Sequence, residues 1–418
     1  MLGFDSKGNS ARRVSLAIFV CALLVRCIFV LLFSTEPVND LLWNDAVGWN
    51  LATGHGYTAS QTEPRVPGIF RTPGYPFFLA FIYMIFGHSY VNVYFAQAVL
   101  DSFSAVVLYR IASRYVSTEI ALLSGFLYAL YPYPAIFCGV LHQDILLIFS
   151  TLIVLLLLAR AKQNSNQNSL WFVIGGSVAL TALVKANFIF FIAVPMLTLF
   201  FIHDVKKITS IALMIGGFIL FLSPWVIRNY LIFHAFPPLA TGHSGIGLLM
   251  LEDEIKGEDP LLTRWAAQPA RDVKNFLDGA QSIELEKKEA REALSFLRNH
   301  WPQYCVVMIK HIPNLWLTRY SRWQSGRVAL AGKILSWLVL IPGLIGMWIL
   351  RHRWRELLPL YLTIIIITLF HIPYVVEARY TLPARPIMLI FVAATILNFV
   401  RYLRAFRSAA PMSAGSGS

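Results

Sequence analysis

A polar insert, NDAVGWNLATGHGYTASQTEPRVPGIFRTPGYP, runs from Asn44 to Pro76 between strongly apolar stretches. Asp45 brings a carboxylate able to take a proton. Arg71 brings a guanidinium, whose fork of donors matches two phosphate oxygens at once. Further along the chain, Asp144 follows His142 and Gln143, Lys185 interrupts TALVKANFIF, Arg228 follows SPWVI, and Arg379-Tyr380 lie in VEARYTLPARP. A carboxylate with several cations is the equipment for moving a group off a phosphate. Each residue also has a plainer reading. Asp45 is equally at home as a carboxylate near a helix N-terminus, and Arg71 as an interfacial side chain that snorkels to headgroups. Asp144 as an N-cap contributes about 1 kcal/mol with no further role. Glu377 stands near enough to be the structural partner of Arg379. Charges deep in a span cost about 2.5–3.5 kcal/mol, so Lys185 and Arg228 are expected at an interface or facing the protein interior. Asp40 reads as a solvated carboxylate, and Arg26, inside the first apolar run, has no assigned function. His142 and Asp144 supply only two ligands, too few for a metal site, and no metal is expected.

The elements that position these residues follow from composition. Of 418 residues, 57% are hydrophobic and 14% charged, which describes an all-α polytopic membrane protein. The net charge of +13 does not point to nucleic acid, because it sits in short clusters between apolar runs. Runs long enough to span at about 20 residues each are 13–33, 91–112, 118–134, 145–161, 169–186, 187–203, 208–226, 328–350, 354–374 and 381–403. Glycines and prolines forbid a continuous helix through the insert, and irregular backbone at membrane level needs protein or a wet cavity around it. The short apolar run Tyr75–Gly87 decides the topology. Kept at the outer surface, it leaves Arg12/Arg13, Arg110/Arg114, Arg160/Lys162, Lys206/Lys207, Arg351/Arg353/Arg355 and Arg401/Arg404/Arg407 all on the cytoplasmic side. Ten spans with both termini cytoplasmic then satisfy the positive-inside rule. Val14–Phe33 is too long for a signal-peptide core and lacks an A-x-A-like exit. The cysteines form no CxxC and read as apolar fillers. The expected organisation is a catalytic membrane module over 1–229 that includes the first outer loop, 34–90. An extracytoplasmic loop with amphipathic helices follows over 230–327, then C-terminal spans over 328–404 and a disordered tail over 405–418. Within the loop, Arg271–Asn299 and Tyr304–Tyr320 carry amphipathic patterns.

No GxGxxG opens a helix after a strand and no GxxxxGK[ST] is present, so a nucleotide cofactor is not expected. An acidic residue in the first outer loop, then LATGHGY, then RTPGYPFFLAFIYMIFG, resembles the membrane glycosyltransferases of the C-type superfamily. The resemblance is to the branch containing protein O-mannosyltransferases and the lipid A aminoarabinose transferase. ALYPYPAIFCGVLHQDILLIF at 129–149, SPWVIRNYLIFHAF at 223–236 and EARYTLPARPIMLI at 377–390 resemble later segments of bacterial members. The resemblance implies a transferase drawing on a polyprenyl-phosphate-linked sugar at the outer face of the cytoplasmic membrane. Asp45 matches the family's first-loop catalytic acid, and Asp144 a second acidic residue facing the same cavity. Arg71 matches the position of a phosphate-binding lysine in the aminoarabinose transferases. Asn44-Asp45-Ala46 replaces the Asp-Glu pair of the mannosyltransferases, which leaves the acceptor open among glycan, lipid and protein.

On this reading Asp45 is the base, typically contributing about 10²–10⁴-fold. Arg71, with Arg379 or Lys185, holds the phosphate, and in-line displacement inverts the anomeric centre. Arg228 and Tyr380 complete the candidate binding set. Two rivals remain: an O-antigen-type polymerase or ligase, and a transporter or flippase for an anionic polyprenyl lipid. Interrupted helices repeated in two corresponding halves are the sequence hint for a transporter, and none are repeated here.

Overall fold

The computed structural model describes residues 5–38, 40–163, 167–202, 206–234, 239–241, 244–258, 279–317, 326–374 and 376–409. Among these the regular elements are all helical, as the composition requires. Helix α1 (Asp5–Phe33) ends at the polar insert, which opens as α2 (Asp40–Ala52) and returns as α3 (Gly74–Phe86). Helix α4 (Tyr90–Tyr115) leads to α5 (Thr118–Ala129) and α6 (Pro132–Cys138), a pair bent by 43°. The bend falls where Tyr131 is extended ahead of Pro132, as a residue before proline prefers. Then come α7 (Asp144–Gln163), α8 (Asn168–Val184), a 3-10 segment (Ala186–Ile192), α9 (Ala193–Phe200) and α10 (Lys207–Phe233). Beyond these lie α11 (Ser244–Lys256), α12 (Gly279–Asn299), α13 (Trp301–Leu317), α14 (Gly326–Ile349), α15 (Trp354–His371) and α16 (Arg385–Ala409).

Seven of these helices are long and apolar enough to cross a membrane, or eight if the bent α5/α6 pair is one span. The expected runs at 169–186 and 187–203 are realised as shorter apolar helices. They are separated where Lys185 turns to extended backbone (φ −147°, ψ 118°). The amphipathic patterns expected after residue 230 appear as α12 and α13, although residues 271–278 and 318–320 lie outside the described part. The tail beyond Ala409 also lies outside it, as does the Asp40 side chain.

Tyr75–Gly87 forms α3, a helix of 13 residues, and geometry keeps it on one side. At the start of α4, Tyr94 donates to the Thr35 carbonyl at 2.6 Å and Tyr90 donates to Asp45 at 3.0 Å. The chain therefore leaves α1 and enters α4 at the same end of the bundle. Helix α3 buries Tyr75, Leu79, Ile82 and Tyr83 and exposes Phe77, Phe81, Met84 and Ile85 on its other face. At the opposite end the basic clusters are tied together. Arg353 donates to the Tyr115 carbonyl at 2.9 Å, Lys162 donates to the Glu356 carbonyl at 2.8 Å, and Arg401 pairs with Glu119.

Within lipid, apolar burial gives helices little reason to associate, so close backbone approach matters more. Helices α8 and α10 use glycine for this. A Cβ on Gly175 would lie 1.9 Å from the Met214 carbonyl oxygen, and one on Gly217 would lie 2.1 Å from that of Phe172. Polar pairing does the rest. Arg26, fully buried, donates to Asp101 at 2.8 Å and to the carbonyls of Tyr128 and Ala129. Asp101 also accepts from the Tyr128 hydroxyl at 2.5 Å. One guanidinium thus joins α1, α4 and α5 just before the α5/α6 bend. Removing one partner of such a pair strands a buried charge, at a cost of about 3–5 kcal/mol. Arg26→Met is accordingly expected to lower the melting temperature in detergent sharply. Arg26→Met combined with Asp101→Leu is expected to recover a large part of the loss, and equal destabilisation in both would show that the pair is not the source.

Candidate functional site

The insert reaches the end of α8 because its backbone is held there. The Thr72 hydroxyl donates to the Val184 carbonyl at 2.9 Å. Gly74 packs against the same turn, so closely that a Cβ would lie 2.7 Å from the Leu183 carbonyl oxygen. Tyr57 donates to the Arg71 carbonyl at 2.8 Å, and burial pushes its phenol up, keeping the proton on the donating oxygen. These contacts bring Arg71, with its guanidinium over the Phe70 ring at 4.9 Å, toward Lys185.

Lys185 is the centre of the cationic part. Its ammonium donates to His371 Nε2 at 3.3 Å and sits 4.2 Å from the Tyr380 ring centroid. Asn187 also donates to His371 Nε2, at 3.0 Å, while His371 Nδ1 lies 2.7 Å from the Ile367 carbonyl. Two donors on one nitrogen and a carbonyl on the other fix this imidazole as the neutral Nδ1–H tautomer. The ring stacks on Tyr380 at 5.1 Å, so the last turn of α15 braces both Lys185 and Tyr380. Asp144, Arg379, Glu377 and Arg71 all act electrostatically on Lys185. Asp144, at the start of α7, is buried with its Oδ2 3.0 Å from His142 Nδ1. His142 Nε2 in turn receives Arg379 at 3.2 Å, and Arg379 pairs with Glu377 at 3.0 Å. The structural partner expected for Arg379 is thus in place, within a larger network. Three cations gather around two carboxylates, and the excess of positive charge suits an anion.

Asp45 forms a second pole. It sits on α2, buried, accepting from Tyr83 at 2.7 Å, from His88 Nε2 at 2.8 Å and from Tyr90 at 3.0 Å. Tyr75 lies within electrostatic reach of both Asp45 and Asp144.

Arg228, expected in the binding set, lies against the insert. Its guanidinium donates to the Gly68 carbonyl at 2.8 Å, to Asn229 at 2.9 Å and to the Tyr57 carbonyl at 3.5 Å. It lies over the rings of Tyr57 and Trp225. These contacts clamp the insert from outside the Lys185 cluster. Sequence reasoning missed His88, Tyr83 and Tyr90 around Asp45, and His371 and Asn187 around Lys185. Only the polar GHSY and HIPY breaks at the ends of apolar runs marked two of these positions. Among the described residues no group of three metal-ligating side chains occurs.

Residues 70–227 match the dolichyl-phosphate-mannose-protein mannosyltransferase family. That segment carries Arg71, Asp144 and Lys185, and it begins after Asp45 and ends before Arg228. No curated protein sequence matches the chain. Among solved structures, the archaeal oligosaccharyltransferase AglB from Archaeoglobus fulgidus, in complex with an inhibitory peptide and a dolichol-phosphate, superposes with a TM-score of 0.57 at 12% identity. The match covers 97% of this chain and 52% of AglB. Its apo form gives 0.58 at 13% identity, over 96% of this chain and 53% of that one. The chain thus spans about half the length of these structures. ArnT from Cupriavidus metallidurans bound to undecaprenyl phosphate is matched at 14% identity over 94% of this chain and 77% of that one, with a TM-score of 0.43. The fold is that of the C-type superfamily of membrane glycosyltransferases, in agreement with the resemblance read from the sequence.

The clamp and ligand roles of Arg228 are separable. Arg228→Met removes charged hydrogen bonds worth about 1.5–3 kcal/mol each. Faster proteolysis within 54–68 and a lower melting temperature are expected, with a smaller loss of polyprenyl-phosphate binding than Arg71→Met causes. Abolished binding with unchanged proteolysis would make Arg228 a phosphate ligand instead.

Proposed function

We propose that the chain transfers a sugar from a polyprenyl-phosphate-linked donor to an acceptor at the outer face of the cytoplasmic membrane, with inversion at the anomeric carbon. The observation that carries this reading is the pairing of two poles at one end of the bundle. A cationic group of Arg71, Lys185 and Arg379 stands with Asp144, and a hydrogen-bonded carboxylate, Asp45, stands nearby. The phosphate needs the first pole, since negative charge grows on it as the glycosidic bond breaks and fixed cations stabilise that charge. The acceptor hydroxyl needs the second, since a neutral alcohol is a poor nucleophile until its proton is removed. Asp144 and Glu377 offset part of the cationic charge, so the site holds a phosphate without trapping it. The matched mannosyltransferase segment supports this assignment, as does the occurrence of dolichol-phosphate in the AglB complex. A transporter needs the cations but has no use for the carboxylate cage. The basic clusters gathered at the opposite end support the outer-face reading.

Two measurements test the proposal. Asp45→Asn is expected to keep polyprenyl-phosphate binding but lose most turnover, about 10²-fold or more. Arg71→Met should weaken binding about ten- to a hundredfold at unchanged stability, and Arg71→Lys less. Full turnover by Asp45→Asn, or unchanged affinity in a destabilised Arg71→Met protein, would overturn the assignments. For sidedness, cysteine at exposed Thr62 in a cysteine-free background should react with an impermeant thiol reagent on intact cells, and cysteine at exposed Thr118 should not. Labelling at 118 would invert the topology.

A further inference from the structure

We infer that His88, not Asp45 itself, removes the proton of the acceptor, and that Asp45 is the carboxylate that orients and charge-balances it. The inference rests on the glycosyl-transfer reading above and assigns the atom at which the proton lands.

A carboxylate offers about four lone-pair sites, and the Asp45 cage fills three of them. Oδ1 accepts from both the Tyr83 hydroxyl and His88 Nε2, and Oδ2 accepts from the Tyr90 hydroxyl. The Asp45 side chain is only 10% exposed, so an incoming hydroxyl finds little open acceptor there. His88 is the opposite case. Its side chain is 36% exposed, and it lies in the short link between α3 and α4, outside the spans. Because a carboxylate can only accept, the Nε2 facing Asp45 carries the hydrogen, which leaves the lone pair on Nδ1. Among the described residues Nδ1 has no hydrogen-bond partner. The ring cannot drift. Trp49 stacks on it at 4.7 Å and 14°, and Tyr83 and Tyr90 meet it edge-on at 4.8 Å and 5.7 Å. The titratable and charged groups facing this imidazole are Asp45 on α2, Tyr83 on α3 and Tyr90 on α4. Glu36 acts on Tyr90, and Tyr75 interacts with Asp45. An oriented imidazole with one nitrogen tied to a buried carboxylate and the other open is the arrangement of a general base.

The step balances within the site. The acceptor oxygen forms its bond to the anomeric carbon as the bond from that carbon to the phosphate oxygen breaks. The electron pair leaves on the polyprenyl phosphate beside Arg71, Lys185 and Arg379. The hydroxyl proton passes to His88 Nδ1, Asp45 stabilises the imidazolium, and the exposed ring edge then returns the proton to water.

The test uses the full chain in detergent with short-chain polyprenyl-phosphate mannose as donor and methyl mannoside or water as acceptor. His88→Gln is the informative variant, since its amide nitrogen can still donate to Asp45 while it has no lone-pair nitrogen to accept a proton. Expected are a kcat lowered about 10²–10⁴-fold and a donor KM within about twofold. Added imidazole should restore part of the turnover of His88→Gly. An active wild type whose kcat persists in His88→Gln would overturn this inference alone. A wild type that consumes no polyprenyl-phosphate sugar would defeat the transfer reading, and this one with it. Should His88→Gln fail to fold, the His88→Gly rescue decides, and a folded His88→Gly protein whose turnover added imidazole leaves unchanged would overturn the inference.

Discussion

The seating of the polar insert on the broken end of α8 is the constraint on which the site depends. An irregular chain at membrane level must find partners for its backbone groups or be excluded. Here Thr72 reaches the Val184 carbonyl, Gly74 presses onto Leu183, Tyr57 holds the Arg71 carbonyl and Arg228 holds that of Gly68. The break is what makes the seat available. Lys185 leaves helical geometry, and α8 stops at the level where the insert returns. The same break that exposes carbonyls to Thr72 delivers an ammonium to the cluster around His371 and Tyr380. Structural and chemical demands are met by one interruption of the chain.

A division of labour between charges follows. Arg26 and Arg228 are nearly as conspicuous in the sequence as Lys185 and Arg379, yet each has its fork committed to backbone carbonyls. Arg26 also faces Asp101, deep among α1, α4 and α5. Lys185 and Arg379 instead meet imidazoles, those of His371 and His142, contacts that hold a cation in place while leaving it able to attract an anion. What separates the two groups is not burial but what their hydrogens touch.

This distinction also marks how far the sequence could be read. Most of the apolar runs and the gathering of Asp144, Lys185 and Arg379 were legible, because apolar run length and the sidedness of positive clusters act along the chain. The pairing of Arg26 with Asp101 was not, since it joins residues 75 positions apart whose neighbours carry no pattern. The 17-residue α8 and the 3-10 turn after it were also missed as such. A hydropathy run records how apolar a stretch is, and it does not register that Lys185 needs extended backbone. His88 and His371 stayed hidden for a related reason. Each stands at the polar edge of an apolar run, where a histidine is unremarkable until the fold places a carboxylate or an ammonium against it.

Helix α3 has one consequence that concerns the bilayer. Its inner face carries Tyr83, a direct partner of Asp45, while Phe77, Phe81, Met84 and Ile85 project from the other side. A helix this short, with so apolar an outer face, rides at a depth set by the acyl chains around it. The depth at which that face settles is passed through the Tyr83 hydroxyl to the carboxylate it holds, so one short helix carries both a membrane-facing surface and a partner of Asp45.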